Sequence, residues 1–175
     1  GSPGAQSRRE EIAGAEKAAK DLGLRIARIE SPGTLDGGDV LTVGATVYVG
    51  RSDRTNAEGV RQLRAIVGRL GYVVVAVPVT KALHLKSAVT ALPDGTVIGF
   101  APLVDDMSLF NRFLPVPEAE GAAVVVLSDD TVLMSSSAPR SAELIAELGY
   151  RVLTTEITEF EKLEGCVTCL SVRVR

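Results

Sequence analysis

Residues 55–78 read TNAEGVRQLRAIVGRLGYVVVAVP, and two different periods lie side by side in them. Val60, Leu63, Val67 and Leu70 recur at helical spacing and make one apolar stripe. Thr55 and Glu58 stand at capping-box spacing at its start. Gly71 supplies the stop, because helices commonly end on a left-handed residue that glycine adopts at no steric cost. Tyr72 to Val77 is then a β-branched run typical of a buried strand. The stretch predicts a helix that ends in Leu-Gly and leads directly into a strand.

The same grammar occurs twice more. In residues 7–30, SRREEIAGAEKAAKDLGLRIARIE, Ser7 and Glu10 have the capping spacing, and Ile12, Ala15, Ala19 and Leu22 share a face. Gly23 stops that helix, and Leu24 to Ile29 alternate like a strand. In residues 137–157, SAPRSAELIAELGYRVLTTEI, Pro139 suits an early helical position. Leu144, Ile145 and Leu148 form the stripe there, and Gly149 ends it. Hairpin-like pairs lie between: DVLTVGATVYVG (39–50) turning at Gly44, SAVTALPDGTVIGF (87–100) at Pro93-Asp94-Gly95, and AAVVVLSDDTVLMSS (122–136) at Asp129-Asp130. A further helix is expected over roughly Asp106 to Leu114, and the closing GCVTCLSVRVR (165–175) alternates as a strand. The unit strand–turn–strand–helix–strand thus returns about every 35 to 50 residues, which indicates a repeat architecture rather than one open Rossmann sheet. The class is α/β.

Composition narrows the function. With 175 residues, 46% of them hydrophobic, the chain can bury a core and is not a disordered segment. Its net charge of -3 argues against general binding to a phosphate backbone, so no nucleic-acid partner is expected. There is no apolar run long enough to cross a membrane and no signal-peptide core in GSPGAQSRREE, so no membrane partner is expected. Two cysteines near the C-terminus do not make a disulfide scaffold, and a reduced, cytoplasmic setting is the expectation.

Few side chains can carry chemistry. His84 is the only histidine, the one side chain that titrates near neutrality unperturbed, though a single structural hydrogen bond at a strand end would also account for it. Cys166 and Cys169 form C-x-x-C. A redox dithiol normally opens a helix, whereas on a strand positions i and i+3 face opposite sides, so the two sulfurs would point apart. A structural zinc site needs about four ligands, more than one C-x-x-C and one histidine offer. The pair can also be one nucleophile with His84 as its partner beside one buried cysteine, or simply two small core residues. Asp36 and Asp39 flank Gly37-Gly38, where a tight backbone aims a carboxylate, or where an Asp-Gly turn merely precedes a strand. Arg8, Arg9 and Arg54 stand at predicted helix starts, where a free N-terminus and a guanidinium together suit a small carboxylate, although solvated surface arginines look the same in sequence.

Taken together, TLDGGDVL (34–41), VGRSDRTN (49–56), LHLKS (83–87) and EGCVTCLSVRVR (164–175) resemble, in order and spacing, the dimethylarginine dimethylaminohydrolases. These belong to the guanidine-modifying superfamily with the five-bladed α/β-propeller, or pentein, fold. The similarity runs over nearly the whole chain, and HLKS with TCLS is specific within the superfamily. The resemblance implies hydrolysis of Nω-methylated arginine to citrulline, with Cys169 as nucleophile, His84 as general acid and base, and Asp36 orienting the histidine. Arg8 and Arg54 match arginines that bind the amino-acid end of the substrate, and Leu163 matches a position whose backbone carbonyl faces the substrate α-amino group. Cys166 falls where the family requires no cysteine. No metal and no cofactor are implied, and the partner is the small methylated-arginine substrate.

The chain also departs from the family pattern. A Phe-Val-Glu-Asp segment whose acids hold the guanidinium stands upstream of the SRR helix in the family and is absent here, and PEAEGAA (117–123) replaces an Asn-containing stretch. The expectation is a single pentein domain over 1–175 with its N-terminal portion missing, about three units plus a closing strand. Pairing with a missing N-terminal segment, or a homodimer, would complete it. The alternative is a catalytically incompetent pentein chain that binds a partner chain or a small ligand.

Overall fold

Each sheet begins as a hairpin and ends with a parallel third strand. The computed structural model describes residues 3–4 and 10–171. Among them are three three-stranded sheets with one topology, so the periodicity of the sequence is a real structural repeat. Val40–Val43 (β1) pairs antiparallel with Thr46–Arg51 (β2), which pairs parallel with Val73–Pro78 (β3). Val89–Ala91 (β4), Val97–Gly99 (β5) and Phe113–Pro115 (β6) repeat this pattern. So do Val124–Val126 (β7), Thr131–Ser135 (β8) and Arg151–Thr155 (β9). The chain divides into two compact units, residues 1–78 and 79–175, which are described separately.

In the first unit, the helix Glu11–Asp21 (α1) starts at Glu10 without a side-chain cap, while Ser7 lies outside the described residues. Leu24 to Ile29, expected as a strand, forms none. A strand needs a ladder partner, and among the described residues no segment pairs with this one.

The second helix of this unit, Ala57–Gly68 (α2), crosses from β2 to β3 and buries Val60 against Val47, Val49 and Val74. Its cap is Asn56, one residue later than the sequence predicts. The Asn56 side-chain oxygen accepts from the backbone N–H of Gly59 at 2.8 Å and of Thr34 at 3.1 Å, and its amide donates to the Pro32 carbonyl at 2.8 Å. Thr55 is unavailable as a cap because its buried hydroxyl donates to Asp39 at 2.6 Å. Asn56 therefore ties the TLDGGD segment to the start of α2. Gly59 makes that approach fit, since a Cβ there would lie 2.0 Å from the Thr34 carbonyl oxygen.

In the second unit, a one-turn helix at Leu85–Ala88 (α3) leads into β4. The longer helix Pro139–Glu147 (α4) buries Ile145 against Val124, Val132 and Met134. The helix expected over Asp106 to Leu114 is absent. Asp106 instead caps a short 3-10 turn, accepting from the Ser108 N–H at 2.9 Å, and such local bonding competes with a helix. Phe113–Pro115 is then recruited as the third strand of the second sheet, beside β5. The Leu-Gly stops behave as expected: Gly23, Gly71 and Gly149 have φ of 71°, 87° and 95°.

Gly59→Ala is expected to lower stability by about 1–3 kcal/mol, the usual cost of overpacking. Gly68→Ala, whose Cβ meets nothing within 4 Å, is expected to hold or raise it. Urea midpoints of the two variants check this.

Candidate active site

Strand β7 faces two cores at once. Val124 packs with the α4 cluster, while Ala123 and Val125 join Ile157 and Val167 on the opposite face. Strand β8 divides the same way: Val132 and Met134 face α4, and Leu133 faces the second cluster. This is the period-two alternation of a strand used on both sides. The second face is what the cysteine segment rests on. Val167 is buried in it as a plug, and Cys166 packs against it.

The approach to that segment is also fixed. The short helix Thr158–Glu161 (α5) is held to the end of β8 through Glu161, whose carboxylate accepts from the Ser135 hydroxyl at 2.5 Å and the Ser137 hydroxyl at 2.8 Å. After α5 the backbone reverses. The Gly165 N–H donates to the Phe160 carbonyl at 2.8 Å and the Glu164 N–H to the Glu161 carbonyl at 3.0 Å, a Schellman pattern. Its left-handed residue is Glu164, with φ of 60°, where glycine is the usual choice. Leu163 sits within this reversal with its side chain 85% exposed.

From there the structure corrects the strand expected for the last segment. Cys166 to Leu170 form a turn, with the Cys169 N–H donating to the Cys166 carbonyl at 2.9 Å. Residues 172–175 lie outside the described residues. The turn brings together the two sulfurs that a strand would have separated: Cys166 Sγ and Cys169 Sγ are 3.3 Å apart, and Cys166 Sγ is 3.0 Å from the Thr168 hydroxyl. The thiols differ in consequence. The Cys166 thiol is drawn down to about 5, chiefly because the Cys169 thiol donates to it, helped by the Thr168 hydroxyl and the backbone N–H groups of Cys169 and Thr168. The Cys169 thiol is pushed up, chiefly because its proton is engaged in that bond, with partial desolvation of the sulfur adding to the rise.

His84 immediately precedes α3, and its carbonyl accepts from the Ser87 N–H at 3.1 Å. A cavity of about 280 Å³ opens beside it, at the small end of ligand-binding clefts. Lys81, Ala82, Leu83 and Ser87 line it from the His84 segment, and Glu164 to Val167 from the cysteine segment. Glu120 and Glu161 add carboxylates, so the lining carries three acids against one ammonium and suits a cationic ligand. Lys81 is itself 3.9 Å from Asp105.

Asp36 and Arg54 belong to the first unit, and Arg8 and Arg9 lie outside the described residues. Asp36 is buried at the head of the Gly37–Asp39 turn, and its N–H donates to the Thr55 hydroxyl at 3.1 Å. Asp39 is committed to structure, since its fully buried carboxylate accepts from the Ser52 and Thr55 hydroxyls, both at 2.6 Å. Arg54 is half-buried between β2 and α2, and a Cβ on Gly4 would lie 2.6 Å from its carbonyl oxygen. Among the described residues no group of three or more His, Cys, Asp or Glu could hold a metal ion. No described helix is long and apolar enough to cross a membrane. Sequence reasoning missed the Glu161–serine anchor, because its partners lie 24 and 26 residues away and carry no local signature.

Comparison with known proteins shows the family. Over 173 residues the chain is 64% identical to the N(G),N(G)-dimethylarginine dimethylaminohydrolase of Streptomyces coelicolor, an alignment covering 99% of this chain and 67% of that protein. The chain belongs to the dimethylarginine dimethylaminohydrolase family. It is accordingly an α/β chain of the pentein type and a hydrolase. A dimethylarginine dimethylaminohydrolase from Pseudomonas aeruginosa, solved as a cysteine-to-serine mutant with citrulline, superposes with a TM-score of 0.89 at 36% identity, over 98% of this chain and 69% of that one. A histidine-to-glycine variant of a family member, solved as an adduct with S-methyl-L-thiocitrulline, superposes with a TM-score of 0.90 at 35% identity, over 99% and 69%. No family model matches the chain.

Thr168→Val is expected to raise the pH at which the first thiolate of the pair forms, since one donor to the Cys166 sulfur is lost. Below that pH the thiolate is protonated and its reactivity disappears. Iodoacetamide alkylation rates against pH, in the variant and the wild type, check this.

Proposed function

We propose that the chain carries out thiolate-based hydrolysis of Nω-methylated arginine. Asymmetric dimethylarginine or monomethylarginine gives citrulline and dimethylamine or methylamine. The observation that carries this reading is that the His84 segment and the cysteine segment line one cavity, with an acidic excess suited to a guanidinium.

The Cys169 sulfur attacks the guanidinium carbon. Its proton has an acceptor 3.3 Å away in the Cys166 sulfur, and the positive charge of the substrate favours the thiolate that results. As the tetrahedral adduct collapses, the C–N bond to the methylated nitrogen breaks. Protonated His84 gives its proton to that nitrogen, which leaves as the neutral amine. A covalent thiouronium remains on Cys169. Neutral His84 then takes a proton from water, whose oxygen adds to the same carbon. The C–S bond breaks, and citrulline and the thiolate are released. No step requires a metal or an organic cofactor.

On the family resemblance we assign Asp36 the orientation of the imidazole, and Arg8 and Arg54 the substrate carboxylate. The backbone carbonyl of Leu163 is assigned the α-amino group, a role that leaves its side chain free to be exposed, as it is.

Citrulline formed from asymmetric dimethylarginine is the assay. Cys169→Ala is expected to abolish it, and His84→Ala to lower kcat by about 10²–10⁴-fold, the usual worth of general acid–base catalysis. Arg54→Ala is expected to raise KM more than it lowers kcat. Retained turnover in Cys169→Ala would overturn the mechanism.

A further inference from the structure

The cysteine turn holds more sulfur than the hydrolysis needs. A single thiol suffices for covalent catalysis, yet a second lies 3.3 Å from it, and these are the chain's two cysteines. We propose that Cys166 and Cys169 form a peroxide-driven disulfide site, in which Cys169 is oxidised and Cys166 resolves it.

The turn closed by the 2.9 Å bond from the Cys169 N–H to the Cys166 carbonyl has the form in which the first and fourth Cα atoms lie within ~7 Å. Disulfides span ~4.4–6.8 Å between Cα atoms, so the bridge forms with only a small closing of the turn. Access is unequal in the useful sense. Cys169 is exposed and meets the oxidant first, while Cys166 is half-buried and held by Thr168 and the Val167 plug. Cys166 is then on the resolving side, beside the Thr168 hydroxyl and 3.3 Å from the sulfur it attacks.

The chemistry balances. The Cys169 proton passes to the Cys166 sulfur 3.3 Å away. Hydrogen peroxide transfers one oxygen to the exposed Cys169 thiolate, giving a sulfenic acid and hydroxide, and that hydroxide takes the proton from Cys166. The Cys166 thiolate attacks that sulfur, and the S–O bond breaks as the S–S bond forms. The departing hydroxide takes up a proton, so two thiols and one peroxide become one disulfide and two waters. A dithiol reductant reverses the bridge. Closure would remove the nucleophile from turnover, a consequence that rests on the reading of Cys169 proposed above, whereas the bridge itself does not.

The purified protein is treated with hydrogen peroxide, capped with N-ethylmaleimide and digested, and the peptide containing both cysteines is weighed. The expected result is that both thiols are lost together, the peptide becomes lighter by two hydrogen atoms, and dithiothreitol restores both thiols and citrulline formation in parallel. In Cys166→Ser, Cys169 is expected to gain two oxygens as a sulfinic acid that dithiothreitol does not rescue. Wild-type protein that accumulates sulfinic Cys169 while Cys166 stays alkylatable, or that bridges two chains instead, overturns the proposal. Protein that makes no citrulline before oxidation counts against the function proposed above, while the peptide masses still decide the disulfide.

Discussion

A β-strand presents its side chains alternately to two faces, and the third sheet puts a different core on each. One face of β7 and β8 buries Val124, Val132 and Met134 under α4. The other carries Ala123, Val125 and Leu133, on which Ile157 and Val167 pack. The cysteine turn is thereby fixed by burial of Val167 rather than by burial of Cys169. Val167 takes the apolar surface, and Cys169, two residues on, stays exposed. A one-residue slip of β7 would exchange the two cores and remove the seat of the cysteine turn.

Around that seat, polar bonding sets direction. Glu161 satisfies two serine hydroxyls and holds α5, and the Schellman reversal at Glu164 turns the chain back toward the cavity. Glu164 in a left-handed conformation is a local strain beside the candidate site, where such strain tends to collect. In the first unit Asp39 has the equivalent part. Its buried carboxylate gathers Ser52 and Thr55 and so fixes the loop that contains Arg54. In sequence Asp36 and Asp39 are alike as acids beside a glycine pair, and these two hydroxyls are what set Asp39 apart.

Much of the fold is legible in the sequence because single residues decide it. Gly23, Gly71 and Gly149 end their helices at positive φ, and Gly44 and Gly95 turn their hairpins in the same region, with φ of 56° and 83°. The departures are tertiary. Thr55 gives up its cap to serve Asp39, and Phe113–Pro115 becomes a strand because β5 offers an open edge. Cys166 to Leu170 alternate as a strand would, yet Val167 is drawn into the core and the chain turns around it. The candidate Cys and His are legible as motifs through family resemblance. The sulfur–sulfur contact is not, since it exists only where the chain turns instead of extending.

Covalent attachment of substrate to the Cys169 sulfur is the step on which the proposed hydrolysis depends. Acid-quenched turnover with asymmetric dimethylarginine, followed by peptide mass spectrometry, tests that directly. The predicted result is a thiouronium adduct on Cys169, present during turnover and gone once substrate is exhausted. An adduct on Cys166, or turnover with neither cysteine modified, would contradict it.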